Sequence, residues 1–145
     1  MIKTIFLIMI TTSLSLASCK QNSEGSNGQE TKPTQQTGKI ERVDSEKFEA
    51  MLHEYPDAQL VDVRTAREYS SGHLEHAVNI DYNSPSFKND ISKLKKDQPV
   101  FVYCAVGGRS ASASYILKEQ GFTHIVDLGG GIADWKKRGK NLKQD

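Results

Sequence analysis

The residue types best suited to covalent chemistry lie together. Cys104 closes the apolar run Pro99, Val100, Phe101, Val102, Tyr103, and Ala105, Val106, Gly107, Gly108, Arg109 and Ser110 follow it. A free thiol ionises near pH 8.5, so only a few per cent is nucleophilic thiolate at pH 7. A short turn feeding a helix leaves backbone N–H groups without partners. Glycines let such groups curl inward as an anion-binding nest, and the helix amino end adds partial positive charge. One pKa unit corresponds to about 1.4 kcal/mol, and a partly buried helix terminus supplies up to about 2 kcal/mol. Thiolate is therefore expected to dominate at neutral pH, with no catalytic base required. The helix is predicted to begin at Arg109 or Ser110.

The rest of the chain sharpens this reading. Of its two cysteines, the other is Cys19, so Cys104 has no partner for an internal disulfide if Cys19 is otherwise engaged. No CxxC is present, and a dithiol oxidoreductase lacks its second sulfur. The first 18 residues read as a signal peptide: Lys3, an apolar segment too short for a normal span, then Leu16, Ala17 and Ser18 before Cys19. That quartet resembles the lipobox of bacterial lipoproteins. The resemblance implies cleavage before Cys19, lipidation of its thiol, and a protein anchored by lipid outside the cytoplasm, in the bacterial cell envelope. Cleavage would remove Lys3 and no acid, leaving 18 basic and 18 acidic residues. Acyl chains, at about 0.8 kcal/mol per buried methylene, would then be the main anchor. A formal charge of +1 gives no sign of a nucleic-acid partner.

Residues 19–39 form a predicted disordered tether. Residues 20–39 contain no aromatic or branched aliphatic side chain, and their root-mean-square reach is about 25 Å. Residues 40–145 are the predicted domain. Ile40–Val43 reads as a strand. Ser45 is expected to cap a helix whose apolar stripe is Phe48, Met51, Leu52 and Tyr55. Residues 58–63 read as a buried strand. Thr65 and Glu68 fit a capping box, and Gly72 stops the short helix that follows. Ala77–Ile80 reads as a strand, Pro85 sits in the first turn of another helix, and Pro99–Cys104 is the strongest strand. A helix over 111–120 stopped by Gly121, a strand over 124–128 and a helix after Gly131 complete the pattern. This alternation predicts an α/β fold: a mostly parallel central sheet with helices on both faces. Ligands bind at the carboxyl ends of such strands. That rim collects Asp62, Arg64, Asp81, Cys104 and Gly129 to Gly131.

The Cys104–Ser110 stretch, the later Leu128-Gly-Gly-Gly-Ile-Ala-Asp-Trp135, and the earlier Asp62-Val-Arg64, Glu68, Gly72-His73 and Ala77-Val-Asn-Ile80 resemble the rhodanese (sulfurtransferase) domain. The resemblance runs from about Ile40 to Trp135. It implies a rhodanese-like fold and an enzyme working by ping-pong transfer without cofactor. A donor such as thiosulfate gives its outer sulfur to Cys104, forming a persulfide. A thiol, cyanide or protein acceptor then removes it. Residues 105–109 would contact the substrate, and a monomer suffices. The related phosphatases and arsenate reductases place five residues between cysteine and arginine; here there are four, a tighter cradle suited to one sulfur. Ala105 and Val106 stand where thiosulfate-preferring members often carry a basic residue, which points toward an apolar or protein persulfide donor. The alternative is a carrier or docking module that holds a persulfide without turnover.

Other residues have plainer roles. Arg109 either contacts the anion or pins the loop, the second being favoured. Asp62 and Arg64 share a strand face by period-two alternation and are expected to pair and brace the rim. Ser110 is expected to cap the helix, the less favoured alternative being a direct hydrogen bond to the sulfur. His73 and His76 lack the further ligands a metal needs, so no metal site is expected; His73 should hold its loop by a hydrogen bond, and His76 stands where the family it resembles often has glycine, which is expected to alter a surface turn only. Trp135 is expected in the core, and Gly129 to Gly131 at the pocket mouth.

Overall fold

The computed structural model describes residues 38–144. The predicted signal peptide, Cys19 and nearly all of the predicted tether lie outside the described residues. Within them the chain runs β1 (Lys39–Val43), α1 (Ser45–Glu54), β2 (Gln59–Asp62), α2 (Ala66–Ser70), β3 (Val78–Asn79), α3 (Phe87–Ile91), β4 (Val100–Tyr103), α4 (Gly108–Glu119), β5 (His124–Leu128) and α5 (Gly131–Lys137). The strands form one sheet in the order β1-β5-β4-β2-β3, and each neighbouring pair is parallel. The predicted α/β architecture is the observed one.

Alternation along the strands builds two cores. Leu60, Phe101, Tyr103, Val126 and Leu128 face α1 and α5, meeting Phe48, Met51, Ile132 and Trp135. Val61, Val63, Val100, Val102 and Ile125 face α3 and α4, meeting Phe87, Ile91, Ala113 and Leu117. On the first face Phe48 sets its ring edge-on to Phe101 and to Trp135, with centroids 5.2 and 6.4 Å away. Such burial is worth about 1.5–3 kcal/mol per large apolar side chain, so the sheet is clamped from both sides. β4 is buried along its whole length and central in the sheet, which fixes where Cys104 emerges.

Local chemistry departs from the sequence reading at several ends. Asp44, not Ser45, caps α1, its carboxylate accepting from Lys47 N–H. Ser45 is fully buried one position further in and donates to Asp134 Oδ2 at 2.7 Å, tying α1 to α5. Of the predicted stripe, Phe48 and Met51 are buried, Leu52 packs partly buried against the core, and Tyr55 ends α1 half-exposed with its ring 6.2 Å from Phe101. Pro85 precedes the Ser86 cap of α3 rather than entering its first turn. The predicted strand over 77–80 pairs only through Val78 and Asn79. β1 starts at Lys39, because Lys39 pairs with His124 on β5. The capping box at Thr65 and Glu68 forms as predicted.

Candidate active site

Cys104 sits immediately after β4, only 1% exposed, and Gly107 N–H donates to its Sγ at 3.1 Å. Burial pushes the thiol up. The Ser110 N–H, the Ser110 hydroxyl and the N–H groups of Val106 and Gly107 outweigh it, and the thiol lies below its ordinary value. The Ser110 hydroxyl acts on the sulfur by proximity, since Oγ makes no well-formed hydrogen bond. The loop is therefore a ring of main-chain donors around one sulfur, as its glycines and short length suggest.

The other side of that loop explains why the donors point inward. Ile132 N–H donates to Cys104 O at 2.9 Å, and Ala133 N–H donates to Ala105 O at 3.1 Å. In a trans peptide the carbonyl and the following N–H point in opposite directions. Holding Ala105 O toward α5 therefore turns Val106 N–H away from α5, toward the sulfur. The amino end of α5, otherwise short of acceptors, gains two carbonyls in return. Ile132 and Trp135, 5% and 6% exposed, anchor that end in the core.

Two glycines make the approach possible. Gly107 has φ +88°, and a Cβ there would lie 1.9 Å from Gly129 O. Gly131 has φ +60°, and its Cβ would lie 2.6 Å from the carbonyl oxygens of Cys104 and Ala105. Gly108, by contrast, opens α4 in free space, with nothing within 4 Å of a Cβ. α4 thus starts before the expected Arg109 or Ser110, with Gly107 at its cap. Gly129 and Gly131 press on the loop's backbone.

Arg109 turns toward α2. Its Nη1 and Nη2 donate to Glu68 Oε2 and Oε1 at 2.8 and 2.6 Å. Glu68 also accepts from Thr65 N–H and Oγ1. Arg109 and then Thr65 hold the Glu68 carboxyl far below the usual carboxylate range, at about 2. The guanidinium pins the start of α4 to the start of α2, the structural one of its two expected readings. Ser110 is buried inside the first turn of α4, whose cap position belongs to Gly107, so it does not cap the helix as expected.

Asp62 and Arg64 form the expected ion pair. Both are buried, with Arg64 Nε and Nη2 donating to the carboxylate at 2.6–3.0 Å, and Nη2 donating onward to Gly72 O. Asn79 Nδ2 donates to the carbonyls of Asp62 and Arg64, and Tyr103 Oη accepts from Leu74 N–H. This cluster ties β2, β3 and β4 at the rim. His73 stacks on Tyr69 and its Nδ1 lies 3.2 Å from Tyr69 O. His76 is exposed at φ +65°, the conformation that glycine supplies without strain. Val106 is 70% exposed, so the loop presents an apolar side chain to solvent.

Residues 44–138 match the family described as rhodanese-like domain. The chain belongs to that family. A sulfurtransferase of Allochromatium vinosum is 32% identical over 100 residues, covering 69% of this chain and 92% of that protein. The thiosulfate sulfurtransferase GlpE of Shewanella oneidensis is 33% identical over 84 residues, covering 58% and 81%. Among solved structures, the polysulfide-sulfur transferase homodimer of Wolinella succinogenes superposes with a TM-score of 0.62 at 25% identity, covering 73% of this chain and 80% of that one. At the level of the family, the rhodanese-like chain is of the sulfurtransferase kind.

The sequence missed three parts of this site. The α5 N–H pair and the Glu68 partner of Arg109 are long-range contacts with no local signature. Asp127 lies 1% exposed behind α4, paired to Arg42 at 2.8 Å. An acidic residue among the apolar Ile125, Val126 and Leu128 of β5 was its available signal.

Proposed function

We propose that this rhodanese-like protein transfers sulfane sulfur through a persulfide on Cys104. The observation that carries the reading is the buried Cys104 Sγ at the head of α4, accepting from Gly107 N–H at 3.1 Å; the neighbouring N–H groups of Ser110 and Val106 also favour its thiolate. The Cys104 thiolate attacks the outer sulfur of a donor. With thiosulfate, a new S–S bond forms, the old one breaks, and sulfite leaves with its electron pair. The terminal persulfide sulfur carries the negative charge, and the same N–H groups stabilise it as they did the thiolate. A nucleophilic acceptor attacks that sulfur, and the Cys104 thiolate is the leaving group. Cyanide would give thiocyanate; a thiol would give a new persulfide.

The donor we infer is a polysulfide or a persulfide, in preference to thiosulfate. Ala105 and Val106 offer no cation, and Arg109 is engaged with Glu68. A dianion gains little there, whereas an apolar or longer sulfur chain meets the exposed Val106. The transferase of Wolinella succinogenes, named for polysulfide, is compatible with that preference. The proposed setting is the bacterial cell envelope, with Cys19 as the lipidated residue.

Incubation with polysulfide or thiosulfate, followed by intact mass, tests this directly. A gain of about 32 Da (one sulfur) on Cys104, discharged by cyanide and absent in Cys104→Ser, is the expected result. An adduct that resists every acceptor would favour a carrier. No adduct from any sulfane donor refutes the proposal. Loss of radiolabelled palmitate in Cys19→Ser tests the anchor separately.

A further inference from the structure

α5 holds the first half of the sulfur loop, through the carbonyls of Cys104 and Ala105. The second half carries the hydrogen bond to the sulfur, from Gly107 N–H at 3.1 Å. Glycine is the residue least able to hold its own backbone in one conformation, and Gly108, in free space, follows it. Gly107 O accepts from Ala111 N–H at a long 3.4 Å. The left-handed φ of +88° at Gly107 therefore needs a hold from outside the loop.

That hold comes from Gly129. A Cβ on Gly107 would lie 1.9 Å from Gly129 O. With a carbon–carbon bond of about 1.5 Å, the oxygen stands within about 3.4 Å of Gly107 Cα, the range of a Cα–H···O contact. Gly129 opens a run of three glycines and has no side chain to fix its own carbonyl. Arg42 fixes it instead. Its Nη2 donates to Gly129 O at 2.8 Å, and its Nη1 donates to Asp127 Oδ2 at 2.8 Å. The rest of the side chain lies along Gly129, with Nε and Cγ 3.0 and 3.2 Å from where a Cβ would stand. Nη2 is also 2.6 Å from the Cβ position of Gly107. Asp127, 1% exposed and opposite Arg42 in the β1–β5 register, anchors the other prong of this rigid fork. Gly129 N–H donates to Val43 O at 2.9 Å, so β1 grips Gly129 by both its N–H and its carbonyl.

The geometry points to Arg42 as a positioning residue: its guanidinium fixes the Gly129 carbonyl against Gly107 and so keeps the Gly107 N–H on the Cys104 sulfur. The role differs from that of Arg109. Arg109 ties the start of α4 to α2 through Glu68. Arg42 reaches the turn before α4 from the edge strand β1 and acts on the donor itself. Its side chain is 47% exposed, beside a groove of about 330 Å³ whose other titratable groups are Asp127, Tyr115 and Lys118. Replacing it therefore removes little buried surface, and an effect on the sulfur can be separated from an effect on folding.

This inference rests on Cys104 being the reactive sulfur, but its test does not involve sulfur transfer. The rate of carbamidomethylation against pH, followed by mass on the peptide that carries Cys104, gives the thiol midpoint in the folded protein. Arg42→Ala is expected to raise that midpoint by roughly 0.5–1 pH unit, the effect of weakening one hydrogen bond to an anion. The rise should persist in 1 M salt, where the screening length is about 3 Å. Arg42→Lys keeps the charge without the fork; it should show at least half of the rise, and it carries the test should the alanine variant not fold. An unchanged midpoint in Arg42→Ala would overturn the proposal, the ion pair then being a tie between strands and nothing more. So would a rise that disappears in salt, or one below half in Arg42→Lys, since the cation would then act through space without Gly129. The expected thiol shift together with no persulfide from any donor would refute the transfer reading and leave this one standing.

Discussion

Replacing Glu68 with glutamine separates the bracing role of the Arg109 pair from everything else Glu68 does. Glutamine keeps the length of the side chain and can still accept from Thr65 N–H, so the capping box survives. What is lost is the charge that Arg109 grips with both nitrogens. The Glu68 carboxyl stands at about 2 against an ordinary 4.5. That difference alone would equal about 3.4 kcal/mol of folding free energy. The side chain is 35% exposed, however, and its partner 25%. Solvent screening reduces the figure to about 1 kcal/mol, equivalent to roughly 4–8 °C in Tm for a domain of this size. The sign follows from linkage. A depressed carboxyl stabilises the fold fully above its unfolded value near 4.5 and loses that contribution as pH falls through about 2. Thermal melts from pH 7 down to pH 2 should therefore show wild type above Glu68→Gln at neutral pH, the two curves converging on acidification. A constant gap across that range, or none at pH 7, would refute the argument that this ion pair braces the loop.

Three further outcomes follow from the site. Gly107→Ala should collapse the sulfur ring, since its Cβ would meet Gly129 O at 1.9 Å; sulfur loading should fall at least tenfold, whereas Gly108→Ala, facing open space, should load as wild type. Cys104→Ala should alter how stability depends on pH: the native thiol lies below its ordinary 9.0, so wild type gains stability relative to the variant as pH rises from the native value toward 9.0, and denaturant midpoints that stay parallel would contradict the lowered thiol. Asp62→Asn should cost about 3–5 kcal/mol in urea unfolding, because it leaves the buried Arg64 guanidinium without its counter-charge; a loss below about 1 kcal/mol would mean that Gly72 O alone satisfies Arg64.

The parts of this molecule legible in the sequence are those written in local patterns. Buried apolar and β-branched runs placed β2, β4 and β5, and glycines with capping residues marked most helix ends. The lone thiol at a strand end, followed by glycines and a helix, located the site. Partners distant along the chain were not legible. Nothing near Arg109 names Glu68, 41 positions earlier, and nothing in Ile132 or Ala133 advertises that their N–H groups hold the loop's carbonyls. The two glycines of the loop look alike in sequence, yet only Gly107 is required by its φ and by the approach of Gly129. Ser45 was misread for a related reason. Serine caps helices, but here tertiary contact with Asp134 took its hydroxyl inside and left the cap to Asp44.

The bracing of Arg109 away from the sulfur bears on reactivity. A guanidinium against Sγ would stabilise the thiolate further, and a strongly stabilised thiolate is a poorer nucleophile, with a Brønsted coefficient of about 0.4–0.5. The attacking thiol does best when it ionises near the working pH. Partial charges from N–H groups, opposed by burial at 1% exposure, lower the thiol without the grip of a full cation. Under the proposed transfer the same moderation would serve the second half-reaction, in which the Cys104 thiolate departs from the sulfur it carried. A lower pKa speeds that departure while slowing attack, so a sulfur that must do both is best held by fixed dipoles of intermediate strength. α5 supplies that fixity by orienting the loop from behind, and the Glu68 pair keeps the nearest cation engaged elsewhere.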